Sequence, residues 1–402
     1  MKKFDFIIIG GGIIGLFIAR ELKNRFPSQK IAILEKEKDV SLHASGRNSG
    51  VLHAGFYYTA DSFKAQFTRD GNMFFRNFCK ENKLSINHCG KLVVATNEGE
   101  VSGLYELKKR GDNNGIDLAW VDEGEINKID PNAKPFGKAL FSRNTATIDP
   151  TQISQFLKKE LSEKGVVFYF DTQFINYKNG LIETNKGNFS AGYIINSSGL
   201  YADKIARKFG LSQNYVLIPF KGIYLKHTGK EKPVKTNIYP VPNLANPFLG
   251  VHFTVTVDGT VKIGPTAIPA FWRENYKGLS RFKISEFFET IGYESKLFCA
   301  NSFGFRRLAL EEINKYKRSH LIKLASKMVK ALDPKGFSEW SRPGIRAQLL
   351  DIRTLKLVQD FIFESDDKSF HLLNAVSPAF TCAEPISRFV VEKIINRGQT
   401  SL

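Results

Sequence analysis

The chain has 402 residues, 42% of them hydrophobic and 24% charged, which excludes a disordered chain and, at this length, a single simple core. No apolar run approaches the roughly 18–20 residues of a membrane span. The net charge of +18 is spread over scattered lysines with no accompanying nucleic-acid motif, so nucleic acid is not expected as a partner.

The N-terminal apolar run, Phe6 to Ile9, ends at three glycines, where a secretory signal would be longer and end in a cleavage site, so a mature cytoplasmic start is expected. "FDFIIIG" reads as a buried parallel strand. "GGGIIGLFIARELKNRF" follows, with Gly10, Gly12 and Gly15 in G-x-G-x-x-G spacing and Ile14, Phe17, Ile18 and Leu22 at helical spacing. "KIAILEK" is a second strand ending at Glu35, with Lys36 beside it. Gly10 permits a tight turn, Gly12 lets the backbone approach a pyrophosphate, and Gly15 lets helix and strand pack closely. The helix N-terminus offers free N–H groups and the positive end of its dipole to phosphate. Glu35 accepts hydrogen bonds from ribose hydroxyls, which favours NAD or FAD over NADP.

The stretch "ASGRNSGVLHAGFYY", Ala44 to Tyr58, decides for FAD. Backbone at Ser45, Gly46, Asn48, Ser49 and Gly50 can line the ribityl chain, and Arg47 can offset phosphate charge. Next, "IDPTQISQFLKKELSEKGVVFYFDTQF" predicts a helix over 151–164, with Ile153, Phe156, Leu157 and Leu161 as its apolar stripe, then a strand; Phe174 closes this cofactor-type segment. "GNFSAGYIINSSGLYADKIARKFG" is a second strand–glycine–helix turn, at Ser197, Ser198 and Gly199. "GKLVVAT", "LIPFKGIYLKH" and "FLGVHFTVTVDGTVKIGPTAI" are strand-like, the last with a hairpin turn at Asp258-Gly259.

Antiparallel strands thus interleave with parallel ones along the chain. The expected class is α/β, α+β overall: a Rossmann-like FAD-binding domain from residues 1–80, 145–215 and 340–402, and a substrate domain on an antiparallel sheet from 81–144 and 216–339. Residues 315–332, "KYKRSHLIKLASKMVKAL", predict one basic amphipathic helix. Leu321, Ala325, Met328 and Leu332 lie on one face and Lys323, Lys327 and Lys330 on another, a pattern that suits either a packed surface helix or contact with anionic lipid. Arg346 follows a Pro-Gly turn. At the end, a strand, a turn at Ser377, Pro378 and Ala379, and a closing helix could aim a helix dipole at the flavin. Four dispersed cysteines (Cys79, Cys89, Cys299, Cys382) with no zinc spacing predict reduced thiols and no metal site.

These segments resemble the D-amino-acid-oxidase-like FAD oxidoreductases and, within them, the L-2-hydroxyglutarate oxidase/dehydrogenase family. The resemblance runs through "FIIIGGGIIG", "ILEKE", "NSGVLHAGFYYTADSFKAQF", "CGKLVVAT", "FLGVHFT", "DGTVKIGP", "RPGIRAQ" and the "SPA" turn. It implies flavin-dependent oxidation of a 2-hydroxy carboxylate to a 2-oxo acid, with a quinone or oxygen as electron acceptor. Arg47 stands where that family usually has histidine and Ile223 where it usually has an acid, while "FGFRRLALEE" (303–312) departs from the family's segment.

Such an oxidation needs hydride acceptance at the flavin and a base for the hydroxyl proton. His53 is the candidate base. Arg346 suits a forked grip on the carboxylate and matches the family position. Lys221, Tyr57, Tyr58, Tyr239 and His252 are candidates for the site wall. An amine or amino-acid oxidase on the same fold is the alternative, permitted by Ile223 and Arg306–Arg307. A basic FAD protein acting at RNA or membrane is the third reading.

Overall fold

The computed structural model describes residues 2–242 and 250–399. Phe248 and Leu249 of the "FLGVHFT" motif lie outside the described residues. The chain divides into two compact units, both discontinuous in sequence: residues 1–48, 150–219 and 346–402, and residues 49–149 and 220–345.

The first unit is built on a mainly parallel sheet. Its central strand, Lys2–Ile9, pairs in parallel with Ile31–Leu34 on one side and Gly187–Asn196 on the other. Ile31–Leu34 is followed outward by Val167–Tyr169, again parallel. Gly187–Asn196 carries Leu181–Thr184 antiparallel along its first half and Ser369–Leu372 parallel along its second. The ends of these strands bury Ile7, Ile9, Ala32, Leu34 and Ile194 in one apolar cluster. The helix Ile13–Arg25 buries Ile14, Leu16, Phe17, Ile18 and Leu22. It packs on the helices Pro150–Glu163 and Ala383–Gln399, and an Arg20–Glu160 ion pair of 3.0 Å links it to the first of these.

The second unit holds an eight-stranded sheet in the order Phe337–Trp340, Leu225–His227, Val261–Gly264, His252–Val255, Asn237–Pro240, Lys91–Val94, Ala139–Ser142, Ala119–Val121. All neighbours are antiparallel except Asn237–Pro240 and Lys91–Val94. The Asp258-Gly259 turn closes the expected hairpin, with Gly259 at φ +77°. Register and the twofold alternation of strands separate the two faces. One face gives Leu92, Val94, Ile238, Phe253, Ile263, Leu225 and Phe337 to a core closed by Leu321, Ala325 and Met328. The other face carries Lys91, Val93, Tyr239, His252 and Thr254.

Two expectations need correction. Residues 49–80, expected with the first domain, belong to the second unit: Val51–Leu52 pairs there with Ala146–Ile148, and Asn72 of the helix Phe63–Glu81 donates to the Leu52 and His53 carbonyls. The basic segment 315–332 is not one helix. A helix ends at Asn314, turns fill 315–317, and a new helix spans Arg318–Ser326. Its apolar stripe is buried in the sheet core, leaving Lys323, Lys327 and Lys330 exposed. The expected strand, turn and closing helix follow in order, as Ser369–Leu372, the Ser377-Pro378-Ala379 turn and a helix from Ala383.

Candidate functional site

In the first unit the glycine turn, Glu35 and the Ser45 segment converge on the start of the helix Ile13–Arg25. Gly10 has φ +111°, and a Cβ there would lie 2.7 Å from the Ser197 carbonyl oxygen. A Cβ on Gly15 would lie 2.2 Å from the Gly10 carbonyl. The second glycine turn thus packs directly against the first, bringing Ser197 and Ser198 beside Gly10. Gly12 is the residue before the helix, at φ −77°, and a Cβ there would meet only the Ser45 hydroxyl, at 3.1 Å.

The Ser45 hydroxyl accepts from the Ile13 N–H at 3.0 Å, and the Glu35 carboxylate accepts from the Gly11 N–H at 2.8 Å. Burial pushes the Glu35 carboxyl above the usual carboxylate range, against the pull of N–H groups from Glu37 and Gly11. No acidic residue occupies the first helical turn. A helix N-terminus without its own anion, bordered by glycines and with a carboxylate one strand away, fits the pyrophosphate and ribose of FAD.

The neighbouring candidates are held by local bonds. Gly46 is pressed against the Ser41 carbonyl, which a Cβ would meet at 2.3 Å. The Arg47 guanidinium donates to the Leu42 carbonyl at 2.7 Å, and Asn48 donates to the carbonyls of Ala44 and Ser45. Lys36 pairs with Glu37 at 2.8 Å and lies over the Tyr201 ring. Phe174 stacks on Phe209 among the apolar residues of the sheet. The Ser377-Pro378 peptide is cis, the Ala379 N–H donates to the Val376 carbonyl, and Cys382 is buried. Arg346 is half-buried on the strand Gly344–Asp351.

In the second unit Ser49 and Gly50 lead into Val51–Leu52, and His53 follows, buried. Tyr57 is buried and Tyr58 half-buried. Tyr239 stacks on His252 with ring centroids 3.7 Å apart, and His252 Nδ1 lies 2.8 Å from the Gly250 carbonyl. The Lys221 amine donates to Asn275 Oδ1 at 3.2 Å, and burial lowers its pKa. Ile223 donates its N–H to the Thr266 hydroxyl at 3.1 Å. Arg306 and Arg307 are exposed; Arg306 closes the helix Ile284–Ala300 by donating to the Phe298 and Cys299 carbonyls.

Lys91 was not singled out from the sequence, where a lysine opening an apolar strand reads as a surface residue. It is 0% exposed, and its ammonium lies 4.1 Å from the Tyr239 ring centroid, 5.2 Å from Tyr57 and 5.6 Å from Phe56. Its Nζ and the Tyr57 hydroxyl have no hydrogen-bond partner. Burial lowers the Lys91 pKa to about 7, while the three rings favour the charged form. Between that value and the ordinary lysine pKa of about 10.4, the unfolded chain holds a proton that the folded chain has released, so stability rises with pH by up to about 1.4 kcal/mol per unit. Lys91→Met is expected to melt above the parent at pH 7, with the difference narrowing towards pH 10. Parallel curves in calorimetry across that range would remove the buried charge from the account.

The comparisons fit this architecture. The family model described as FAD dependent oxidoreductase matches residues 5–392. The L-2-hydroxyglutarate dehydrogenase of Escherichia coli is 34% identical over 97% of this chain and 93% of its own. The mitochondrial L-2-hydroxyglutarate dehydrogenase of Homo sapiens is 33% identical over 98% and 89%. Among solved structures, the L-alpha-glycerophosphate oxidase of Mycoplasma pneumoniae with FAD bound superimposes with a TM-score of 0.77 at 24% identity, covering 98% of this chain and 95% of that one. Glycine oxidase from Geobacillus kaustophilus gives 0.71 at 17%, covering 99% and 95%; both show a shared fold. With the matching model spanning nearly the whole chain, the chain belongs to the DAO family of FAD-dependent oxidoreductases.

Proposed function

We propose that this protein oxidises a small 2-hydroxy carboxylate, of the L-2-hydroxyglutarate type, to the 2-oxo acid, passing electrons to a quinone or to oxygen. The observation that carries this reading is the 34% identity, over 97% of the chain, to a protein named L-2-hydroxyglutarate dehydrogenase. The first unit acts as the FAD-binding domain and the second as the substrate domain. Gly10, Gly12, Gly15, Glu35 and the Ser45–Gly46 segment hold the cofactor, whose bound form supplies the two-electron oxidant. His53 takes the hydroxyl proton, since an imidazole can accept a proton near neutral pH. Arg346 grips the carboxylate through two parallel N–H donors. Lys221 and the Tyr239–His252 stack belong to the wall that receives the rest of the acid. The test is product identification: anaerobic mixing with L-2-hydroxyglutarate yields one 2-oxo acid per flavin reduced, whereas an amino-acid oxidase leaves the hydroxy acid intact.

Arg346→Lys separates charge from geometry. A lysine keeps the positive charge and loses the fork, so substrate affinity is expected to fall by about 1.5–3 kcal/mol while FAD stays bound. Unchanged affinity in an anaerobic titration would show that Arg346 is not the clamp.

A further inference from the structure

The strand Lys91–Val94 carries a cation where a core ordinarily places an aliphatic side chain. Lys91 is fully buried, and its ammonium lies over the Tyr239, Tyr57 and Phe56 rings. Among the described residues no carboxylate pairs with it: its Nζ has no hydrogen-bond partner, and the Cys89 thiol is the one group whose charge bears on it. An isolated buried charge is costly, and proteins ordinarily pair it or neutralise it. The rings offset part of that cost and supply no counter-charge.

The neighbours of Lys91 belong to the segments proposed to meet the substrate. Tyr57 follows His53 by four residues, and that loop is tied down through its backbone. Asn72 donates to the His53 carbonyl, Asn114 to the Gly55 and Tyr58 carbonyls, and Arg110 to the Tyr57 carbonyl. The Tyr57 hydroxyl is buried with no hydrogen-bond partner, although a buried phenol ordinarily finds one. The Tyr239 ring meets both Lys91 and His252, with its centroid 4.1 Å from the ammonium and 3.7 Å from the imidazole centroid. Two buried donors without acceptors, an ammonium and a phenol, thus lie against the loop that carries His53 and the ring that stacks on His252. The Lys221 amine, by contrast, already has an acceptor in Asn275.

We propose that Lys91 sets specificity for a dianionic substrate: its ammonium, held behind Tyr239 and Tyr57, supplies the uncompensated positive charge that favours an acid with a second, distal carboxylate over one with an uncharged tail. This rests on the 2-hydroxy-acid reading above, with the Tyr239–His252 stack in the substrate wall. Lys91 acts as a positioning residue, through the rings and not by contact, because it is sealed from solvent. Across the thickness of one ring, at the effective dielectric of a protein interior, such a charge changes the affinity for an anion by about tenfold or more. A surface lysine has a weaker influence, since water and salt screen it. Burial brings the Lys91 pKa to about 7, so binding of a dianion is linked to proton uptake there.

The test uses the FAD-loaded protein and two 2-oxo acids that cannot reduce a flavin. One is 2-oxoglutarate; the other, 2-oxopentanoate, carries a methyl group in place of the distal carboxylate. Calorimetric titration of the parent is expected to favour 2-oxoglutarate by about tenfold or more. Titrations near neutral pH in two buffers of different ionisation heat should show protons taken up with it. Lys91→Met removes the charge at similar side-chain length. It should lose both the preference and that proton uptake while keeping its affinity for 2-oxopentanoate, whereas a purely structural role would weaken both acids alike. Equal affinities in the parent, or a preference that Lys91→Met leaves intact, overturns the proposal. If L-2-hydroxyglutarate still reduces the flavin in that case, the 2-hydroxy-acid reading stands without it. Failure of both acids to bind the parent overturns the proposal and that reading together.

Discussion

Gly12→Val is expected to give a folded, colourless protein. The backbone at Gly12 has φ −77°, which any residue tolerates, and a Cβ there meets only the end of the Ser45 side chain, at 3.1 Å. Hydroxyls of this kind can rotate away, so the fold survives. The branched side chain then stands at the helix start, where the proposed pyrophosphate would approach. Gly15→Val supplies the contrast. Its Cβ would lie 2.2 Å from the Gly10 carbonyl and 2.8 Å from the Ser197 hydroxyl, so the turn itself must break and the protein should fail to fold. Absorbance at the flavin band together with circular dichroism distinguishes the two. A yellow Gly12→Val protein with normal FAD content would remove the pyrophosphate from this turn.

His53→Ala is expected to slow the reductive half-reaction by roughly 10²–10⁴-fold with little change in FAD content. On the proposed assignment the cofactor is held in the first unit, by backbone and Glu35, whereas His53 lies in the second. Reduction of the parent should be faster where the imidazole is neutral and able to accept the proton, and that pH dependence should vanish in the variant. A histidine that only supports the cofactor predicts a changed flavin spectrum or affinity with a modest rate change. Stopped-flow reduction at several pH values reads both, and a near-normal rate with an unshifted profile would pass the role to Lys221 or His252.

The strand–glycine–helix–strand unit at the start of the chain was legible because its signals are local. A strand, three glycines, an amphipathic helix and an acid after the next strand fall within Lys2–Glu35, and each needs only its near neighbours in sequence to be interpreted. The second glycine turn was legible for the same reason, although its packing of Ser197 against Gly10 and Gly15 was not. The assignment of residues 49–80 failed because it depends on pairing across a long separation: Val51–Leu52 joins Ala146–Ile148, nearly a hundred residues away. Segment 315–332 misled because apolar periodicity persists through the turns at 315–317, with neither proline nor glycine to mark them. Lys91 was missed because residue type predicts burial only on average, and here a lysine is buried among rings.

The most direct test of the proposed reaction is anaerobic bleaching of the bound flavin by a panel of hydroxy and amino acids. L-2-hydroxyglutarate and close 2-hydroxy acids are expected to reduce the flavin fully and rapidly, while glycine and other amino acids leave it oxidised. Rapid bleaching by an amino acid, with the hydroxy acids inert, would contradict the account.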